Sequence, residues 1–206
     1  MLVGNLPVNV GVIGKQFDEM LFWQYCPIKA PGGNVKIPET LKQFYDIILA
    51  VKTHDPGEYY NSYVYLTAKT LWVSGDYIGN RPGWHIDGFG TDDINYVWAD
   101  RAPTEFIAGE WHISDDCDIS LQEMEELGGN NTIFTYPDQS LLRLDNTVIH
   151  RSPVGFEPGM RTFVKVSLSK NIYNLKGNSV NHLLDLDIRY EERQATRNHP
   201  HVKAIS

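Results

Sequence analysis

The chain has 206 residues, 42% hydrophobic and 21% charged, close to globular averages, which excludes wholesale disorder and collagen-like structure. Its length suits one decorated domain better than two, with a core large enough to need no staples. Eighteen basic against twenty-six acidic residues leave a net charge of −8, and no basic run is present to attract a phosphate backbone, so a polynucleotide substrate is disfavoured. The two cysteines, Cys26 and Cys117, are too few for a disulfide framework and lack metal-ligand spacing. The N-terminus has no basic segment leading into a long apolar one, and no window approaches 18 consecutive apolar residues. The expectation is a cytoplasmic protein with no membrane segment.

In chain order, Val8 to Ile13 reads as a short strand and Gln16 to Tyr25 as a turn or two of helix stopping before Pro27. Ala30 to Asn34, APGGN, is loop. From Pro38 a helix is predicted, with Leu41, Phe44, Ile48 and Val51 recurring at three- and four-residue steps. It ends near His54, before the turn Asp55-Pro56-Gly57, and its apolar stripe is expected to pack on a sheet. The period then changes to two. Tyr59 to Val73 reads as two strands, followed by candidates at Trp84–Asp87, Ile94–Trp98, Thr104–Ile113, Asn131–Tyr136, Ser140–Leu144, Thr147–His150 and Arg161–Ser169. Ser120 and Glu123 form a capping box that would start a helix after the acidic run DDCD. Many short strands after N-terminal helices indicate a mainly β fold, a double-sheet barrel or jelly roll with helices on one face. Residues 1–188 are read as a single domain and residues 189–206 as a loosely packed polar tail.

Within RPGWHIDGFG, His85 and Asp87 stand two apart on a predicted strand, so their side chains share a face. His150 closes another strand, 63 residues after Asp87. Two imidazoles and one carboxylate can occupy one triangular face of an octahedral metal and leave the opposite face open, the 2-His-1-carboxylate arrangement of non-haem Fe(II) oxygenases. His-x-Asp alone is a weak signal. Arg161, eleven residues past His150, strengthens it, because an arginine opening an apolar strand is costly to bury unless a carboxylate repays it. Lys165 lies four residues on along the same face.

With these residues the sequence resembles the Fe(II)/2-oxoglutarate-dependent dioxygenase superfamily, whose His-x-Asp…His…Arg pattern sits on a double-stranded β-helix. The likeness runs from about Tyr59 to Ser169, and the N-terminal helices fit the family's usual support for the major sheet. The resemblance implies that His85, Asp87 and His150 hold Fe(II). It implies that Arg161 binds the distal carboxylate of 2-oxoglutarate, with Thr104 as its hydroxyl partner, and that O2 is the oxidant. Members with an Arg-x-Ser motif carry Ser where Phe163 stands here, which leaves the second anchor open. Asp87 favours hydroxylation over halogenation, since halogenating members carry a small residue there. The expected activity is hydroxylation of a small molecule or amino-acid-like substrate, coupled to decarboxylation of 2-oxoglutarate to succinate. Two other classes stay open: a metal-dependent hydrolase or isomerase on a similar barrel, and a non-catalytic jelly-roll binding module. The loops Gly88–Ala102 and Asp115–Asn130 are expected to rim the mouth, and their acidity suits a cationic or neutral substrate. Trp84, Phe89, Trp98 and Trp111 are read mostly as core.

Overall fold

The computed structural model describes residues 1–75 and 77–193. Its N-terminal part holds β1 (Leu2–Val3), β2 (Val8–Val12), β3 (Leu21–Lys29), a 3-10 turn (Glu39–Phe44), α1 (Tyr45–His54), α2 (Pro56–Asn61) and β4 (Tyr63–Val73). Then come β5 (Ile94–Ala99), β6 (Glu105–Ile107), β7 (Trp111–His112), α3 (Cys117–Asn130), β8 (Ile133–Phe134), β9 (Ser140–Leu144), β10 (His150–Arg151) and β11 (Gly159–Ser169). The fold is mainly β and the strand pairings are antiparallel. Six strands form one sheet in the order β2-β9-β5-β11-β4-β3, three form a second in the order β10-β6-β8, and β1 pairs with β7.

The long strand β11 is the axis of the large sheet, paired with β4 from Gly159–Val73 to Ser169–Tyr63 and with β5 from Phe163–Ala99 to Leu168–Ile94. Side chains alternate across a strand. Val164, Val166 and Leu168 therefore face one way, into a core shared with Leu41, Phe44, Ile48 and Val51 of the helical segment, which packs on this sheet as its apolar spacing predicts. Arg161, Phe163, Lys165 and Ser167 face the other way. There Phe163 joins Val97, Leu142 and Leu144 against Phe106 of the small sheet.

Several local expectations are corrected. Gln16–Tyr25 is not helical; Leu21 onward is strand β3, and Pro27 lies inside it. Its aromatic and β-branched content favours a strand, and β3 is the last strand of its sheet, where a residue without an N–H is tolerated. Asp55-Pro56-Gly57 opens α2 with Pro at the first helical position, where its missing N–H costs nothing. The two strands expected over Tyr59–Val73 are one, because α2 claims residues up to Asn61. The helix expected at the capping box starts earlier. The Asp116 carboxylate accepts the backbone N–H groups of Asp118 and Ile119 and caps α3, while Glu123 accepts from the N–H of Ser114. Thr104–Ile113 splits into β6 and β7. In the polar tail, Glu191 forms a parallel bridge to Leu175, and residues 194–206 lie outside the described residues.

Candidate metal centre

His85, Asp87 and His150 converge, with one potential ligand atom from each lying within 4.8 Å of the others. The Trp84–Asp87 segment is not a full strand; it makes a single antiparallel bridge. His85 and His150 exchange both backbone hydrogen bonds, each 2.9 Å. That pairing sets the two residues directly opposite each other with their side chains on one face, and the rings lie 4.5 Å apart. His150 is also paired with Phe106 of β6, so the small sheet carries one ligand and holds the segment carrying the other two. Beyond Asp87 the chain turns sharply at Gly88, at φ +71°, where a Cβ would lie 2.9 Å from the Cβ of Asp93. Behind the segment, α3 acts as a buttress. Glu125 accepts the N–H of Trp84, and Gly128 lies so close to the indole that a Cβ there would overlap it at 1.9 Å.

The donor set fits a divalent metal. The Nδ1 atoms of His85 and His150 lie 2.9 Å and 3.2 Å from the carbonyl oxygens of Gly83 and Val148. A carbonyl can only accept, so each ring carries its proton on Nδ1 and leaves the Nε2 lone pair for a metal. The Nε2 of His150 is 3.5 Å from Asp87 Oδ2. Burial and the neighbouring His150 push the pKa of His85 down to about 3, so its ring is neutral at neutral pH. Burial alone would raise the Asp87 carboxyl, but the Lys165 ammonium and His150 outweigh it and hold the group well below the usual carboxylate range. A charged Asp87 carboxylate and a neutral His85 imidazole are ligand forms a metal requires.

The cavity at this centre is lined by His85, Asp87 and His150 together with Thr104, Val97 and Phe163, and by Tyr25, Thr67, Lys69 and Lys165. Gln24, Asn80, Arg81, Arg151 and Ser152 complete its lining. Thr104 thus faces the cavity. Arg161 is buried on the same sheet face, 3% exposed, but does not itself line the cavity; its guanidinium lies 5.3 Å from the ring of Phe163, which does. Its Nε donates to the carbonyl oxygens of Arg101 and Ala102, each at 3.1 Å, and its buried Nη2 has no hydrogen-bond partner. Burial lowers its pKa to about 10. The expected acidic rims are not found. Of the loops 88–102 and 115–130 only Val97 reaches the cavity, and 117–130 is the helix α3. Trp84, Phe89 and Trp98 are fully packed in the core and none of them lines the cavity.

Of the other lining groups, Lys165 was placed by the sequence only on the face of Arg161, while Tyr25 and Lys69 were not singled out. Lys165 donates to Asp87 Oδ2 at 2.9 Å and to the hydroxyl of Tyr25 at 3.3 Å, so it orients a ligand. Tyr25 arrives there through an irregularity in β3 between Trp23 and Cys26. Its φ is +48°, its N–H bonds Thr67 Oγ1, and a bulge of this kind re-aims a side chain. Nothing in the residue types announces it. Lys69 did leave a signal, a lysine in the middle of the apolar run TAKTLWV, where charge is expensive. Comparison with protein-family models and with curated proteins finds no match, and among the described residues no helix is long and apolar enough to cross a membrane.

Proposed function

We propose that this protein is a non-haem Fe(II)- and 2-oxoglutarate-dependent dioxygenase, built on a double-stranded β-helix whose major sheet is the six-stranded one. The observation that carries the reading is a pairing. Two imidazoles and a carboxylate converge at a cavity, and on the same sheet face a buried guanidinium keeps an Nη2 without a partner. An unpaired buried donor is costly, and a carboxylate would satisfy it in a bidentate way. A hydrolase or isomerase built on the same triad gives Arg161 no such partner.

Bound at the triad, Fe(II) would supply the activation of dioxygen that is coupled to decarboxylation of 2-oxoglutarate. The chain does the rest. His85 and His150 present Nε2 because their Nδ1 protons are held by carbonyls, and Lys165 orients Asp87. Val97 and Phe163 give the cosubstrate chain an apolar wall and exclude water, Arg161 fixes its distal carboxylate, and Thr104 offers a hydroxyl from the cavity lining. The reaction class is hydroxylation of a small molecule or amino-acid-like substrate.

The reading is tested by anaerobic titration of Mn(II)-loaded protein with 2-oxoglutarate. Arg161→Ala should keep the metal and lose about 2–5 kcal/mol of cosubstrate affinity, the usual cost of truncating a buried, hydrogen-bonded charge pair. Arg161→Lys should recover only part, since an ammonium lacks the fork geometry. Equal affinity in wild type and Arg161→Ala would contradict the assignment.

A further inference from the structure

The two flanks of β11 differ in chemistry. Toward β5 the cavity wall is Val97 and Phe163, and Arg161 leans that way, its Nε held by the carbonyls of Arg101 and Ala102 just beyond β5. Toward β4 and β3 the wall is polar and cationic. Lys69 sits directly opposite Phe163 in the register and opposite Phe22 on its other side. Its ammonium lies 5.0 Å from the ring of Phe22, which is itself exposed. The oxygens within its reach are neutral, the carbonyl of Gly79 at 3.1 Å and Asn80 Oδ1 at 3.2 Å.

Two other cations of the cavity wall are matched by carboxylates. Lys165 pairs with Asp87 and Arg151 with Glu105. Among the described residues no carboxylate lies within ion-pair distance of Lys69. Its surroundings are consistent with that: burial, then Lys165 and Arg161, lower its pKa to about 8 despite Asp87. An ammonium kept on a cavity wall with only neutral oxygens as partners is a receptor for an anion.

We propose that the substrate is a small-molecule acid whose carboxylate or phosphate is received by Lys69 at the β3–β4 flank, apart from the cosubstrate carboxylate on the β5 flank. The same position sets the orientation of the substrate, because the anion is bound on that wall and the rest of the molecule points past Thr67 and Tyr25 toward the triad. This replaces the cationic or neutral substrate expected from the acidic loops, which lie away from the cavity. The proposal rests on the oxygenase reading only in dividing the cavity between two acids.

The test uses full-length protein loaded with Zn(II) and 2-oxoglutarate, titrated calorimetrically with inorganic phosphate and, separately, with acetate. Wild type should bind at least one of them saturably. Lys69→Met should weaken that binding about tenfold or more, the worth of a charge-assisted contact, and Lys69→Arg should retain it. Lys15→Met, which removes a surface lysine paired with Asp46, should change nothing. The affinity for 2-oxoglutarate should be the same in Lys69→Met and wild type. Tighter binding of phosphate assigns a phosphate ester as substrate, and tighter acetate a carboxylic acid. Anion binding indifferent to Lys69, or a loss of 2-oxoglutarate affinity in Lys69→Met comparable to that in Arg161→Ala, would overturn the proposal. Repeating the titration on protein without Zn(II) and 2-oxoglutarate separates the two claims. Lys69-dependent anion binding in protein that fails to take up 2-oxoglutarate would sink the oxygenase reading and leave the anion site standing.

Discussion

Along β11, successive residues belong to two different environments. Val164, Val166 and Leu168 lie in an apolar layer closed by the helical segment. One step out of phase, Phe163 and Lys165 line the candidate site and Arg161 is buried on the same face, which puts two cations where the other face has only hydrocarbon. The helix face gains stability from area removed from water. The site face gives some of that up: it buries a guanidinium with an unsatisfied nitrogen and an ammonium that needs Asp87 beside it. A single strand can therefore hold its chemistry rigidly because its other face is locked into the core.

The comparison predicts that the two faces can be broken separately. The largest effect on stability is expected at the helix face. Phe44 is fully buried, its ring 4.6 Å from that of Phe17, and Phe44→Ala should cost about 3–5 kcal/mol in denaturant unfolding. Metal affinity, measured by Mn(II) titration under native conditions, should stay within about twofold, since distant sites with no shared partner add independently. A parallel loss of metal affinity would show that the faces are coupled.

A smaller effect is expected where the helical layer is pinned to the sheet by charge. Asp55, between α1 and α2, accepts hydrogen bonds from the Tyr96 hydroxyl at 2.6 Å and from Arg143 Nε at 2.7 Å. Burial acts to raise its pKa, but these two bonds outweigh it and the carboxyl is lowered in the fold. Asp55→Asn should cost about 1.5–3 kcal/mol at neutral pH, the range for hydrogen bonds to a charged group. Because the folded pKa lies below the unfolded value of about 3.9, the contribution is fully present above that pH. It is lost as pH falls through the folded pKa. The stability gap between wild type and Asp55→Asn should therefore be constant from pH 5 to 8 and shrink below about pH 4. A gap that widened on acidification would contradict the role of the charge.

How much of this was legible in the sequence follows the same division. The helix stripe Leu41–Val51 and the period-two run over Arg161–Ser169 are patterns of hydrophobic spacing; the run forms its predicted strand, and the stripe packs as expected but is 3-10 through Phe44 and α-helical only from Tyr45. The His-Asp-His cluster was legible because His85 and Asp87 are polar residues spaced for one face and His150 closes a later strand, and the structure brings them together. The helix expected over Gln16–Tyr25 fails because strand preference and the tolerance of a sheet edge for Pro27 prevail over a weak periodicity. The remaining site groups depend on register. The alignment of Lys69 with Phe163, and the irregularity that turns Tyr25 inward, exist only once β3, β4 and β11 are paired. Local residue pattern cannot report which strands become neighbours, and the acidic loops were misassigned to the mouth for the same reason.

The central claim is that the triad supports oxygen-dependent turnover of 2-oxoglutarate. The most direct measurement loads wild type and His150→Ala anaerobically with Fe(II) and 2-oxoglutarate, admits oxygen, and quantifies succinate. Wild type should form succinate in a reaction that needs both iron and oxygen. His150→Ala, folded with an unchanged unfolding midpoint, should form none above the protein-free background. Succinate formation that persists in His150→Ala, or a wild-type protein that binds iron yet forms no succinate when oxygen is admitted, would contradict the account.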